Sequence, residues 1–168
     1  MPIAAPVPEP PRMAIYADFS DEDESITTPH RNSQKKALEG IYQSNFLTVK
    51  LRLAQAGRAL KESSGLREGW DTYGSQAPNA LARKNAWRIL VNLYSAELAP
   101  TRVLPSSEGG IAFSFVSGSK RGEIETYNTG EIIAAKYSDT GSPEIWEVQD
   151  NDDALSAAID AINVYLAA

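Results

Sequence analysis

The feature that most limits what this chain can become is a change of hydrophobic period near Pro100. Upstream, apolar residues recur at helical spacing. Downstream they alternate, as a half-buried strand requires, until a last helical stripe closes the chain. From Ser33, an N-cap type, Leu38, Ile41, Tyr42, Val49, Leu53, Ala56 and Leu60 form one stripe of a helix running to about Ser63. A second helix is predicted from Pro78 to Glu97, with Ser75 and Pro78 at its start and Pro100 beyond its end. Its apolar set is wide: Ala82, Ala86, Ile89, Leu90 and Leu93, then Trp87, Val91, Tyr94 and Leu98 beside them, which predicts burial against two neighbours. Arg83, Lys84, Asn85, Arg88 and Asn92 are left for solvent.

After Pro100, Gly110–Val116, Glu123–Tyr127, Glu131–Tyr137 and Glu144–Gln149 read as strands. Gly118–Gly122, Asn128–Gly130 and Asp139–Pro143 read as turns, with Gly130 at a positive-φ position, and Arg102–Leu104 is a further candidate at the edge. Asp150, Asn151 or Asp152 caps a final helix whose stripe is Leu155, Ala158, Ile159, Ile162 and Leu166. The expected fold is α+β: two N-terminal helices, an antiparallel four-stranded β-meander and a C-terminal helix packed on one face.

Composition excludes several chemistries. Among 168 residues there is no cysteine and one histidine, His30, so disulfides, Cys/His zinc sites, thiol nucleophiles and His-based triads in the folded part are ruled out. The net charge of -6 is unevenly spread: residues 1–33 carry six acids and two bases, whereas residues 34–63 carry six bases and two acids. The first 33 residues, Pro-rich and acidic, are expected to be a disordered arm, and residues 34–168 a single domain. Ile15, Tyr16 and Phe19, ahead of Asp21–Glu24, make a candidate linear motif, and the acidic arm has the charge to lie across the basic first helix. No targeting segment and no long apolar run is seen, which predicts a cytoplasmic protein with no membrane partner.

Leu66–Ser75 places Trp70, Asp71 and Tyr73 between Gly69 and Gly74. So much apolar area in a short loop marks either a structural plug or a binding site. Trp70 is expected to be largely buried. Asp71 is expected to close the turn through its own side chain, with binding as the competing role. Gly109 and Gly110 admit a close approach to the backbone, read as packing of the Trp70 loop in preference to a ligand.

The string Gly69-Trp70-Asp71-Thr72-Tyr73-Gly74-Ser75, followed by Pro105-Ser106-Ser107-Glu108-Gly109-Gly110-Ile111, resembles a family of small bacterial and phage proteins that pair a GWDxYG segment with a P-[S/T]-x-x-GGI strand opening. The likeness covers roughly residues 64–150 and departs at Phe115, where the pattern often carries Trp. It implies a fold more than an activity.

Leu47 and Leu51 lie off the main stripe of the first helix, one turn apart, and are expected to mark a contact surface, with a helix kink that turns them inward as the alternative. The function expected is a non-catalytic interaction module of accessory, immunity or antitoxin type, bound to a protein partner or to its own copy, with no cofactor and no metal. Its binding residues would come from Trp70, Asp71, Tyr73, Glu108, Leu47, Leu51, Ile15, Tyr16 and Phe19. A small metal-dependent hydrolase or nuclease using Glu68, Asp71 and Glu108 is the alternative, and Glu123 and Glu125 with Lys136 are a weaker acidic set. An anion or nucleic-acid binder through the basic face of the first helix is a third reading, although the overall charge makes nucleic acid an unexpected partner.

Overall fold

The computed structural model describes the backbone of residues 28–139 and 141–168, and the side chains from residue 35 onward except those of Ala37, Ile41 and Thr140. Ile15, Tyr16 and Phe19 lie outside the described residues, as does the expected docking of an acidic arm. The chain divides into two units, residues 1–38 and 39–168. In chain order the elements are α1 (Thr28–Ser63), α2 (Ala80–Ser95), β1 (Arg102–Ser106), β2 (Gly110–Ser117), β3 (Lys120–Tyr127), β4 (Ile132–Tyr137), β5 (Glu144–Glu147) and α3 (Asp152–Ala167).

The architecture is α+β, with five antiparallel strands in the order β1-β2-β3-β4-β5 where four were expected. The fifth is the edge segment Arg102–Ser106, which pairs with β2 from Arg102↔Ser114 to Ser106↔Gly110. Pro105 is tolerated there because an edge strand has a free side that needs no N–H. β3 begins at Lys120, so the turn after β2 is shorter than predicted and Gly122 lies inside the strand, packed beneath Ile162.

Alternation sorts the sheet into two faces. Ile111, Phe113, Phe115, Ile124, Ile132 and Ala134 point to one side and are buried beneath Ile89 and Leu93 of α2 and Leu155, Ile159 and Ile162 of α3. Asn151 is the N-cap of α3, its side chain accepting from Ala154 N at 2.8 Å, and the predicted stripe supplies the buried residues of that helix. Arg121, Glu123, Glu125 and Tyr127 lie on the opposite, uncovered face.

Several local expectations are overturned. Thr28 opens α1, so Ser33 lies within the helix and is not its cap. Leu53, Ala56 and Leu60 join the core, but Leu38 and Tyr42 of the same predicted stripe are exposed. Asn79, not Ser75, caps α2: its Oδ1 accepts from Leu81 N and Ala82 N, both at 2.9 Å, leaving Pro78 outside the helix. Asn85 is buried and donates to Gly130 O at 3.0 Å. Arg88 bridges to Asp150 and Asp152 at the start of α3. The two polar residues were assigned to solvent because their partners lie 45 or more positions away, beyond the reach of a periodicity argument.

Candidate functional site

The Trp70 loop is held by its own atoms. Gly69 N donates to Ser75 O at 2.8 Å and Thr72 N to Gly69 O at 3.0 Å, while Gly69, Thr72 and Gly74 all adopt positive φ. Asp71 Oδ1 accepts from Tyr73 N at 3.0 Å and Ser75 N at 3.2 Å, and Oδ2 accepts from Ser75 Oγ. The Ser75 bond, foremost, and then the backbone donors hold the Asp71 carboxyl below the ordinary carboxylate range. Asp71 thus closes its own turn. Most of the Trp70 surface is covered, as expected, though the ring is not fully buried, and its Nε1 donates to Gln76 O at 3.3 Å. Tyr73 is 93% exposed and touches little of the fold.

Downstream of the loop, Asn128 joins three segments that the sequence separates. Its Nδ2 donates to Ala77 O at 3.0 Å, its Oδ1 accepts from Asn79 N at 2.6 Å, its carbonyl accepts from Asn79 Nδ2 at 2.8 Å, and its own N donates to Gly109 O at 2.7 Å. A Cβ at Gly109 would strike the Asn128 side chain, and one at Gly110 the Thr126 carbonyl. Both glycines therefore serve close packing of the chain against itself. The sequence marks Asn128 only as a hairpin residue. A polar residue between two strands, beside glycine, gives no further signal of such a role.

Glu108 is exposed at the rim of a shallow depression of about 430 Å³, whose lining includes Gln76, Tyr127, Asn128 and Glu131. Glu68 is exposed as well. Asp71 has its carboxylate occupied by Ser75 and Tyr73, and no group of three or more acids or histidines among the described residues could hold a metal ion. The weaker acidic set is divided by the sheet. Lys136 pairs with Gly122 on the helix-covered side, bonded to Glu144 at 3.0 Å and over the Trp146 ring, whereas Glu123 and Glu125 stand on the uncovered side. There Tyr127 OH donates to Glu125 at 2.7 Å. Burial, then the neighbouring Glu125 charge, pushes the Glu123 carboxyl up, and burial with the Glu125 bond raises the Tyr127 phenol.

A larger feature lies between the first two helices. Lys50, Leu53, Ala54 and Gly57 of α1 face Trp87, Leu90, Val91 and Tyr94 of α2 across an open groove of about 530 Å³. Gly57 stands at the seam of the two helices with room to spare: a Cβ there would meet Leu90 Cδ2 at 3.6 Å and the Trp87 ring at 3.9 Å, ordinary contact distances. Leu90 and Leu53 form the floor. Trp87, Val91 and Tyr94 are 46%, 63% and 55% exposed, so the expected second neighbour of α2 covers only part of this side. Leu47 and Leu51, 62% and 61% exposed, lie on rows next to Lys50 and Ala54, and the alternative that a kink turns them into the core does not hold.

Asn85, Asn128 and the outer side of α2 were missed as site-forming elements. The breadth of the α2 apolar set was the available signal for the last of these. No helix among the described residues is long and apolar enough to cross a membrane. Comparison of the chain with protein-family models, with curated proteins and with solved structures found no match.

Proposed function

We propose that the chain is a non-catalytic, cytoplasmic interaction module of accessory, immunity or antitoxin type, and that it engages a protein partner through the outer faces of α1 and α2. The observation that carries this reading is the groove with its apolar surroundings: Trp87, Val91 and Tyr94 line it and stay exposed on α2, and Leu47 and Leu51 are exposed on the adjoining rows of α1. Surfaces of this kind on a folded domain mark association sites, and aromatic residues flanked by a polar rim are their usual composition. The rim here is basic, from Lys50 and Arg58. The Trp70 loop enters this reading as scaffold, since Asp71 is engaged in closing its own turn and Asn128 in holding the neighbouring segments together. Tyr73 and Glu108 remain as exposed side chains able to extend the contact elsewhere.

The test is co-purification of the full chain from native lysate, alongside the double variant Leu47→Glu/Leu51→Glu. A single stoichiometric partner that accompanies the parent and is lost by the variant, at an unchanged melting temperature, is the expected result. A partner retained by the variant places the interaction elsewhere on the molecule.

A further inference from the structure

Charge on the folded part is sorted by layer. Between Tyr42 and Lys61, α1 carries Lys50, Arg52, Arg58 and Lys61 and no acid, and α2 carries Arg83, Lys84 and Arg88 and no acid. Residues 96–168 instead hold twelve acids and four bases. Bases predominate around the groove, with Glu62, one turn past Arg58, the nearby acid on α1. Lys50 lines it, with its ammonium 4.1 Å from the centroid of the Phe46 ring. Arg58 follows Ala54 by one turn, Lys61 follows Gly57 by one turn, and Lys84 precedes Trp87 and Val91 on the same row of α2. The floor between these cations is aliphatic and aromatic.

Resting on the interaction reading above, we propose that the α1–α2 groove recognises an acidic amphipathic helix of a protein partner. Its apolar stripe lies on Ala54, Trp87, Val91 and Tyr94, and its carboxylates face Lys50, Arg58, Lys61 and Lys84. A cleft between two helices accepts a third through anchors at i, i+3, i+4 and i+7, because those residues share one side of the incoming helix. The predominantly basic rim then selects for acids on the flanks of that stripe, and its long-range field speeds encounter. A second copy is the poorer occupant. Two-fold pairing sets the same patch against itself and would oppose one basic rim to another. A nucleic acid is poorer too, since the floor offers Leu53, Leu90 and Val91 where a phosphate backbone requires donors.

The experiment uses the full chain and two synthetic peptides of about 20 residues with an identical apolar stripe, one with Glu and one with Lys on the polar face. Binding is followed by amide and indole NMR shifts and by fluorescence anisotropy of the labelled peptides. The acidic peptide is expected to shift Trp87 and the groove residues of α1 and α2, and to bind at least about ten-fold tighter than the basic one at about 50 mM salt, with the gap closing near 0.5 M. The exposed pair substitution Lys50→Glu/Arg58→Glu should invert the preference at an unchanged melting temperature.

Equal binding of both peptides in the groove overturns the acidic ligand and leaves the interaction reading standing. Shifts that avoid the groove with both peptides overturn the two readings together. Concentration-dependent self-association that protects the Trp87 indole assigns the face to a second copy, and displacement of the acidic peptide by a single-stranded oligonucleotide assigns it to nucleic acid; either result ends the proposal. Because the chain has no cysteine, a spin label on Tyr16→Cys is site-specific. Broadening of the groove amides by that label in the free monomer would hand the groove to the chain's own acidic segment.

Discussion

Along α2, Ala82, Ala86, Ile89 and Leu93 point at the sheet and are fully buried, whereas Trp87, Val91 and Tyr94 on the adjoining side remain about half exposed. Both sides are apolar and share one helix, one cap and one backbone geometry. They differ in what stands opposite. The inner side joins one core with Phe113 and Phe115 of β2 and Ile159 of α3, while the outer side faces Lys50, Leu53, Ala54 and Gly57 of α1 across an open groove. Amphipathic patterning therefore reports which residues are able to leave water. Whether they do so within one chain depends on how many packing layers the fold supplies.

The sharpest way to break this comparison is to truncate each side in turn. Leu93→Ala removes a fully buried side chain and should cost about 2–5 kcal/mol in urea unfolding, whereas Val91→Ala should stay within about 0.5 kcal/mol. A comparable loss from Val91→Ala would mean that the outer side is covered in solution. Trp70 supplies an intermediate case. Mostly but not fully covered and tied to Gln76 O, it should cost about 2 kcal/mol on replacement by alanine, short of the about 3 kcal/mol at which a fully buried tryptophan begins.

Gly57 sits on the seam between covered and uncovered surface. A methyl there meets Leu90 and Trp87 at ordinary contact distances inside a helix, so Gly57→Ala should stabilise by about 0.5–1 kcal/mol, read as a raised melting temperature. Destabilisation instead would show that the helices stand closer than 3.6 Å permits. The smallest effect belongs to the uncovered sheet face. The Glu123 carboxyl is raised by burial and by Glu125, so its ionisation opposes folding once the pH exceeds the ordinary carboxylate range. Glu123→Gln should therefore raise stability at pH 7 by less than about 1 kcal/mol after solvent screening, and the gain should vanish as pH falls below about 4. Asp71→Asn carries the opposite sign. Its carboxyl is depressed by Ser75, so the stabilisation it contributes is present at neutral pH and is lost on acidification through the carboxylate range. Thermal melts of the two variants across pH should diverge from the parent in opposite directions.

Much of the fold was legible because it is written in local period and local chemistry. Alternation placed Ile111, Phe113 and Phe115 on one face, Gly130 marked the β3–β4 turn, and a cap among Asp150, Asn151 and Asp152 with the stripe from Leu155 to Leu166 specified α3. Each of these signals acts over a few residues, where backbone sterics and a single hydrogen bond decide the outcome. The closure of the Trp70 turn by Asp71 belongs to the same class. What only the tertiary structure decided depends on partners distant in the chain. Asn128 acquires its role from Ala77, Asn79 and Gly109, Asn85 from Gly130, and Lys136 is parted from Glu123 and Glu125 by the pleat of a sheet whose register no local pattern reveals. Which apolar residues face water was decided there as well: Tyr42 continues the α1 stripe of Leu53 and Leu60, yet burial needs an opposing surface, which among the described residues stands beside the later turns of the helix.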